Sequence, residues 1–423
     1  MKARPAEIPA REISRARHED DSNKDPTQGK TPMRYAPVTD DLAGLGGAKW
    51  AIHERARTLR ASGHDVIALT IGEPDVPPPP ELLASATRAM AAGRTGYSNG
   101  RGEAGLLTAL AARYATRRGQ AFTPDQFLCL PGTQTVLYMA LRALAGPGDE
   151  VLVGDPMYAT YEGVIRASGA VMVPVPLRAE AGFRMQAADV AARITPRSRV
   201  LFLNTPHNPT GAVLTPGDID ALGEVARAHD LWILSDEVYE DLVFEGVTFT
   251  SPLSRPGLED RVVAASSISK SHAAPGFRSG WCVGPPAFTA RALPLAETML
   301  FGNQPFIADA TAEAISSPSP VAAGMAQRFR ARAAMLSGAL NGVAGLRVHC
   351  PDAGMFALVD VRASGLSGQD FAERLLEATG VAVMPGESFG AGLAGWLRLS
   401  LTRPDTEIAE AAARIARFST RGA

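Results

Sequence analysis

Asp236 and Tyr239 follow directly after an apolar, β-rich run at 232–234. A carboxylate at the end of a buried strand is costly unless it is paired. Asp236 therefore suits the anionic partner of a buried, cationic ring nitrogen, and Tyr239 can donate a hydrogen bond to the same ligand. The alternative interpretation is an ordinary aspartate that ends a strand and caps the following turn.

Lys270 follows a second apolar run, at 262–265, and lies among hydroxyl side chains. A lysine that forms a Schiff base needs a partly desolvated amine near other cations. Ser267, Ser269 and Arg278 are close enough in sequence to bind a phosphate. A lone lysine is usually a solvated surface residue, but hydroxyls, a lysine and an arginine at this spacing are more specific.

Three further strand ends carry polar or aromatic residues. The loop 204–211 contains Asn208, whose amide could reach a phenolic oxygen, and Tyr158 follows the run 151–153 and could stack on an aromatic ring. The segment 131–135 begins a helix whose backbone N–H groups could bind phosphate. The alternatives are a plain loop, a tyrosine that packs in the core and an ordinary helix start.

Taken together, the five strand ends describe one site, because ligands bind at the carboxyl ends of the strands in α/β sheets. They offer a phosphate cradle, a stacking ring, an amide, an Asp–Tyr pair and a lysine. This set matches a phosphorylated, cationic, aromatic aldehyde, which is pyridoxal 5′-phosphate. Lys270 would form the Schiff base, and Asp236 would keep the pyridine nitrogen protonated so that the ring acts as an electron sink.

The elements that position these residues alternate between β-rich and amphipathic helical stretches from about residue 66. This alternation predicts an α/β domain with a mostly parallel sheet. After about residue 305, a long helical region at 307–340 precedes short strands and further helices. That change predicts a smaller α+β domain. The first strand that this pattern predicts covers residues 66–71.

Composition excludes several classes of protein. The 423 residues contain 42 Lys plus Arg and 44 Asp plus Glu, so the net charge of −2 gives no overall reason to bind nucleic acid or an anionic membrane. No apolar run is long enough to span a bilayer. The three distant cysteines, Cys129, Cys282 and Cys350, exclude a disulfide framework and a cysteine-based metal site, and they predict a reducing, cytoplasmic location.

Residues 1–32 mix basic and acidic side chains without an apolar segment. This composition predicts a disordered, solvated tail rather than a secretory signal.

At this point the sequence resembles the class I/II aminotransferases of the fold-type I pyridoxal phosphate superfamily. The resemblance covers the chain from Met33 onward, and within the family it is strongest toward the bacterial arginine–pyruvate transaminases. The motifs that carry it are His207-Asn208-Pro209-Thr210-Gly211, Ser235-Asp236-Glu237-Val238-Tyr239, Ser267-Ile268-Ser269-Lys270 with Arg278, and Trp396-Leu397-Arg398-Leu399-Ser400.

The resemblance implies a role for each matching residue. Lys270 would be the Schiff-base lysine and would move the proton between Cα and C4′, Asp236 would pair with the ring nitrogen, and Tyr239 would complete the catalytic set. The cofactor would be held by Thr133, Gln134, Tyr158, Asn208, Ser267, Ser269 and Arg278, and by Tyr97 of the neighbouring subunit. The substrate would be bound by Gly72, Asn208 and Arg398, the last through a bidentate pair with the α-carboxylate.

The resemblance also implies the assembly and the domain limits. We expect a homodimer with no nucleic-acid or membrane partner, an N-terminal segment at 33–72 that packs with the small domain, a large cofactor-binding domain at 73–305 and a small C-terminal domain at 306–423. The relatives often have a cis bond where this chain has Asn208–Pro209. The chain departs from the family pattern at Pro275, which stiffens the loop between Lys270 and Arg278, so the departure bears on substrate choice and rate.

The sequence therefore predicts an aminotransferase that moves an amino group from an L-amino acid, with arginine the leading candidate, to a 2-oxo acid such as pyruvate by a ping-pong mechanism. A cationic side chain would need an acidic partner, and the sequence does not select among Glu73, Asp75 and Glu387. One alternative is other chemistry on the same cofactor: oxygen-dependent arginine oxidation or hydroxylation, or β-elimination. Another is a ligand-sensing regulator, but residues 1–32 show no helix-turn-helix pattern.

Overall fold

The computed structural model describes residues 33–45 and 48–422 of the chain. The predicted tail at 1–32 lies outside the described residues. The helices are α1 Pro37–Leu42, α2 Ala51–Ala61, α3 Pro80–Ala91, α4 Ala104–Arg118, α5 Gly132–Leu144, α6 Tyr161–Ser168, α7 Ala187–Ala191, α8 Pro216–Ala228, α9 Ile268–Ser271, α10 Pro286–Met299, α11 Pro305–Ile315, α12 Ala322–Leu340, α13 Gly368–Thr379 and α14 Asp405–Thr420. None of these helices is both long and apolar enough to cross a membrane.

The strands form three sheets. They are β1 Ile67–Ala68, β2 Phe127–Leu130, β3 Glu150–Asp155, β4 Val171–Pro176, β5 Ser198–Asn204, β6 Trp232–Asp236, β7 Val262–Ser267, β8 Gly280–Val283, β9 Arg347–His349, β10 Phe356–Asp360, β11 Val381–Ala382, β12 Met384–Pro385 and β13 Trp396–Ser400. The large sheet has the order β2-β8-β7-β6-β5-β3-β4, and only β8 runs antiparallel to its neighbours. The predicted α/β class with a mostly parallel sheet is confirmed.

Helices cover both faces of the large sheet, which explains why its strands are apolar throughout. On β5, Leu201 and Leu203 belong to the buried cluster on one face, whereas Val200 and Phe202 belong to the cluster on the other. Successive side chains of a strand point to opposite faces. A strand buried on both faces therefore reads as a continuous apolar run, as the sequence of β5 does.

Helix α8 shows how the sequence sets an element's start. The Thr215 hydroxyl accepts a hydrogen bond of 3.1 Å from the Asp218 backbone N–H, and the Asp218 carboxylate accepts one of 2.9 Å from the Thr215 N–H. This reciprocal capping box satisfies donors that the first helical turn leaves unpaired. Pro216 at the first helical position needs no such partner.

A second layer joins the two ends of the described chain. Strands β12, β13, β10 and β9 form an antiparallel sheet, and β1 pairs in parallel with β11. Ile52, Ala56 and Leu69 share one buried cluster with residues of α12, α13 and α14. Helix α11, by contrast, packs against α3 and α4 beside the large sheet. The domain limits drawn from the sequence stay a prediction.

Two elements differ from the sequence prediction. The prediction of one continuous helical region at 307–340 is wrong, because α11 ends at Ile315 and α12 begins only at Ala322. Pro318 and Pro320 lie between them, and proline removes a donor that a continuous helix needs. The strand predicted over 66–71 is also shorter, because only Ile67–Ala68 pairs with another strand.

Candidate active site

A cavity of about 300 Å³ opens at the carboxyl ends of β5, β6 and β7. Every site residue proposed from the sequence lines it, with the exception of Tyr97. The residues concerned are Gly72, Thr133, Gln134, Tyr158, Asn208, Asp236, Tyr239, Ser267, Ser269, Lys270, Arg278 and Arg398. Side chains from distant parts of the chain thus meet at the edge of the sheet where ligands of such folds bind.

One end of the cavity has the donor set that a phosphate requires. The Thr133 hydroxyl oxygen is buried without a hydrogen-bond partner among the described residues. Gly132 begins α5, and a Cβ on it would lie 2.2 Å from Arg278 Nη2, so the guanidinium lies directly against the helix N-terminus. Ser267 and Ser269 line the same cavity. A helix N-terminus, hydroxyls and a guanidinium together fit the phosphate of pyridoxal phosphate.

Lys270 lies in the short helix α9, next to the phosphate-binding end. Its Nζ donates a hydrogen bond of 3.0 Å to the Gly72 carbonyl oxygen. Burial lowers the pKa of the amine to about 8, while the nearby Glu73 carboxylate acts in the opposite direction. A larger fraction of the amine is therefore neutral, and so nucleophilic, than for an ordinary lysine at the same pH.

This pKa predicts how fast the cofactor-free protein captures pyridoxal phosphate. We expect the capture rate to rise about tenfold from pH 7 to pH 9 and then to level off, since the neutral amine is the nucleophile. The rate is measured by stopped-flow visible absorbance, with N-acetyl-lysine as the reference for the cofactor's own ionisation. A rate that still climbs tenfold per pH unit above pH 9 would contradict the lowered pKa.

Asp236 ends β6 on the floor of the cavity. The Tyr161 hydroxyl donates a hydrogen bond of 2.7 Å to Asp236 Oδ2, and the Val238 backbone N–H donates one of 3.1 Å to Oδ1. Burial raises the pKa of the carboxyl to about 6, although these hydrogen bonds and the Lys270 charge oppose the shift. A cationic ring nitrogen placed against Asp236 would stabilise its ionised form.

Asn208 and Tyr239 meet on the wall beside Asp236. Asn208 Nδ2 donates to the Tyr239 hydroxyl at 3.3 Å, and burial raises the pKa of that hydroxyl. The Asn208–Pro209 peptide bond is cis, as the resemblance led us to expect. The two side chains thus present an amide and a phenol at one place in the cavity.

Arg398, on β13, is fully buried and lines the cavity. Its Nη2 donates to the Thr70 carbonyl oxygen at 2.6 Å, and Nε has no partner among the described residues. The guanidinium carbon lies 3.9 Å from the Phe356 ring centre and 4.4 Å from that of Phe389. Burial lowers its pKa to about 10. A buried guanidinium without a carboxylate partner is suited to bind one from a ligand.

Tyr97 lies apart from the cavity. Its side chain is 95% exposed and touches the ring of Phe301, which is itself 63% exposed, at a centroid distance of 5.8 Å. The structure thus does not bring it to the other site residues of the same chain.

Sequence reasoning missed several residues of the site. Tyr161 binds Asp236, while Trp50, Asn204 and Phe356 also line the cavity. Tyr161 carried a weak signal, because a buried tyrosine hydroxyl needs a partner. Trp50 and Phe356 reach the site from outside the large sheet, so no strand-end pattern could identify them.

A buried cluster of charges holds the segment that carries Asp236 and Tyr239. The α4 residue Arg118 contacts Glu237 at 3.1 Å and Glu240, and Glu237 also accepts hydrogen bonds from Ser235 and Ser251. Arg113 contacts Asp241 at 2.8 Å. Both Arg118 and Glu237 are almost completely buried as side chains. The cluster therefore anchors this segment to α4 from behind the cavity.

We expect Arg118→Met to lower the free energy of unfolding by about 3–5 kcal/mol, because it leaves Glu237 buried without its cation. Urea denaturation measures the change. The matched control is Arg57→Met, which removes an ion pair with Glu54. The side chains of this pair are 67% and 61% exposed, so the change should lower the free energy of unfolding by less than about 1 kcal/mol. Equal losses in the two variants would contradict the anchoring role.

The chain belongs to the class I and II aminotransferases: the model of that family matches residues 64–415. Members of this family are pyridoxal 5′-phosphate-dependent transaminases, so this chain is an enzyme of that kind. It is 46% identical to the arginine–pyruvate transaminase AruH of Pseudomonas aeruginosa over 384 residues, covering 91% of this chain and 98% of the relative.

Other relatives and solved structures agree with this family. The chain is 36% identical to the aspartate/prephenate aminotransferase of Cereibacter sphaeroides, over 90% of this chain and 98% of the relative. Its fold matches the aspartate aminotransferase of Rhizobium meliloti with a TM-score of 0.88 and 28% identity, over 92% of this chain and 100% of the other. The expected fold-type I architecture is confirmed.

Proposed function

We propose that this transaminase takes the amino group of L-arginine and passes it to a 2-oxo acid such as pyruvate by a ping-pong mechanism. The observation that carries the proposal is the convergence of Lys270, Asp236 and Arg398 on one cavity. The name of the Pseudomonas relative supports arginine and pyruvate as the pair of substrates. In a ping-pong mechanism both substrates use this one cavity in turn.

Arg398 is the residue that binds the α-carboxylate of either substrate. Its guanidinium is buried between two aromatic rings and keeps one N–H without a partner among the described residues. The Asn208 side-chain oxygen accepts a hydrogen bond of 3.4 Å from Arg398 Nη1 and helps to orient the guanidinium. Gly72 lets the Phe356 ring pack against the backbone, because a Cβ on Gly72 would clash with that ring. This fixed carboxylate orients the Cα–H bond of the substrate toward Lys270.

Lys270 is the proton carrier of the reaction. Pyridoxal phosphate, when bound, supplies the electron sink that stabilises negative charge at the substrate Cα. Lys270 would move the proton between Cα and C4′ of the cofactor, for which an amine with a pKa near 8 is well suited. Asp236 would hold a proton on the ring nitrogen, and Tyr239 with Asn208 would bind the ring oxygen.

The remaining residues hold the cofactor in place. Tyr158 would pack against the ring, and Thr133, Gln134, Ser267, Ser269 and Arg278, which all line the cavity, would bind the phosphate. Gln134 is itself oriented by a hydrogen bond of 3.1 Å from the Thr160 hydroxyl. The Arg278 Nη1 donates to the Pro275 carbonyl oxygen at 3.0 Å, so the loop in which this chain departs from its family positions a phosphate ligand.

We further propose that the enzyme works as a homodimer in the cytoplasm. The exposed pair of Tyr97 and Phe301 supports the dimer, since a partner subunit would cover it and bring Tyr97 to the second site. The free cysteines support a reducing compartment, because Cys129, Cys282 and Cys350 form no disulfide among the described residues.

A visible absorbance scan of the cofactor-loaded protein tests the proposal. Without oxygen, L-arginine alone should convert the bound cofactor to its pyridoxamine form, and pyruvate should then restore the original spectrum. No change with arginine would exclude it as the donor. Turnover of arginine that needs oxygen would indicate an oxidase or hydroxylase, and release of ammonia without a 2-oxo acid acceptor would indicate a β-eliminating lyase.

A further inference from the structure

Three acidic residues, Glu73, Asp75 and Glu387, are the candidates to pair with the cationic end of the amino donor. Asp75 is already paired, since its two oxygens contact Arg328 at 2.8 Å and Arg332 at 2.8 Å. Glu387 Oε1 accepts backbone hydrogen bonds of 2.8 Å from Gly368 and 3.0 Å from Gly395. Asp75 is therefore occupied by arginines, and Glu387, whose Oε2 is buried without a hydrogen-bond partner among the described residues, does not line the cavity.

Glu73 differs from Asp75 and Glu387 in its contacts and in its position next to Gly72. It is exposed, and the described part of the chain gives its carboxylate no hydrogen bond or ion pair. It follows Gly72, whose carbonyl oxygen accepts the hydrogen bond from Lys270. Its charge is also the one that acts most strongly to raise the pKa of Lys270. The carboxylate thus lies close to the reacting amine without a partner of its own.

Two clefts open beside the cavity, and Glu73 lines both. The first is apolar, with Leu83, Met90 and Phe277 among its residues, and Glu73 is its only acidic residue within the described chain. Pro275 lines this cleft as well as the cavity, so the two spaces adjoin. A long aliphatic side chain that ends in a cation fits such a surface, because its stem packs on apolar groups while its charge reaches a carboxylate.

The second cleft contains arginines that could compete for Glu73, but each has a partner. Arg328 and Arg332 contact Asp75, and Arg403 contacts Glu407 at 2.9 Å. The Arg60 guanidinium donates to the Val66 carbonyl oxygen at 2.8 Å. Among the described residues that line the cavity, the acidic one is Asp236, which accepts a hydrogen bond from the Tyr161 hydroxyl.

We propose that Glu73 determines specificity by binding the cationic end of the amino donor's side chain. This inference rests on the proposed function, because it assumes a donor with a long, positively charged side chain such as arginine. Arg398 in the cavity and Glu73 in the adjoining cleft would then recognise the α-carboxylate and the guanidinium of the same molecule. A bidentate guanidinium–carboxylate pair supplies geometric selectivity as well as attraction.

The test compares L-arginine with L-citrulline, which has nearly the same shape but no charge. In wild type and in Glu73→Gln, the rate at which each donor converts the bound cofactor to its pyridoxamine form gives kcat/KM for that half-reaction. We expect Glu73→Gln to lower the arginine value roughly tenfold relative to citrulline, the size of effect that loss of one charged contact produces. The matched control, Glu81→Gln, removes an exposed acid on α3 that lines neither cleft and should leave the ratio unchanged.

A binding measurement gives a second readout that does not depend on turnover. Calorimetric titration with 5-guanidinopentanoate, which is arginine without its α-amino group, should show weaker binding to Glu73→Gln than to wild type. An unchanged arginine-to-citrulline ratio in Glu73→Gln, or an equal change in Glu81→Gln, overturns the assignment and leaves arginine as the donor. Failure of wild type to react with arginine overturns the proposed function itself.

Discussion

Lys270→Ala is expected to lose turnover by at least about 10⁴-fold, because the variant lacks both the nucleophile that attaches the cofactor and the group that moves the proton. Attachment and turnover can be measured separately. Borohydride reduction of the loaded wild-type protein should add the mass of the cofactor to a single peptide containing Lys270, and the reduced variant should carry no such adduct. The phosphate-binding residues remain in the variant, so it should still bind the cofactor reversibly.

The chain is well suited to this labelling experiment. Lys49 is the only other lysine among the described residues; it contacts Glu162 at 3.2 Å and does not line the cavity. Lys49→Ala is therefore the matched control, and it should keep both the adduct and most of the activity. A cofactor adduct in Lys270→Ala, or its absence in wild type, would remove Lys270 from the mechanism.

Asp236→Ala is expected to keep the cofactor but to lower kcat on the order of 10³-fold, as the removal of one charge that stabilises a reaction intermediate does elsewhere. Without the carboxylate, the ring nitrogen loses its proton near neutral pH, and the electron sink weakens. Steady-state kinetics with arginine and pyruvate give kcat, and the visible spectrum reports the protonation of the bound cofactor. A kcat near that of wild type would exclude the proposed role.

Tyr161→Phe is a milder change that affects the same carboxylate, and its kcat can be compared with that of Asp236→Ala. It removes the hydroxyl that donates to Asp236 Oδ2 at 2.7 Å but keeps the ring and the carboxylate. A hydrogen bond to a charged group contributes about 1.5–3 kcal/mol, so kcat should fall by about one to two orders of magnitude. The order wild type, Tyr161→Phe, Asp236→Ala is the expected ranking of activity.

The sequence was informative about this site wherever chemistry follows directly after a strand. Asp236, Lys270 and Asn208 each come immediately or shortly after a continuous apolar run, and parallel strands bring such positions to a common edge. The alternation of strands and helices predicted the class of fold for the same local reason. In both cases the signal lies within a few residues of the feature that it predicts.

What the sequence could not predict depends on contacts between distant segments. Nothing near Tyr161, at the start of α6, indicates that its hydroxyl meets Asp236 at the end of β6. Likewise, Glu73 and Asp75 are two residues apart and chemically alike, but Asp75 is paired with arginines from α12 and Glu73 is not. Pairing of this kind is a property of the packed structure.

The parallel pairing of β1 with β11 also bears on how the chain folds during synthesis. Ile67 and Ala68 cannot form their strand pairing until Val381 and Ala382 have been synthesised, more than three hundred residues later. At about 5–20 residues per second, that delay lasts some tens of seconds. The large sheet, whose strands fall between these two, can form in the meantime. The early apolar segment must therefore stay shielded until the C-terminal helices emerge, and a chain cut short near its end would leave that segment permanently exposed.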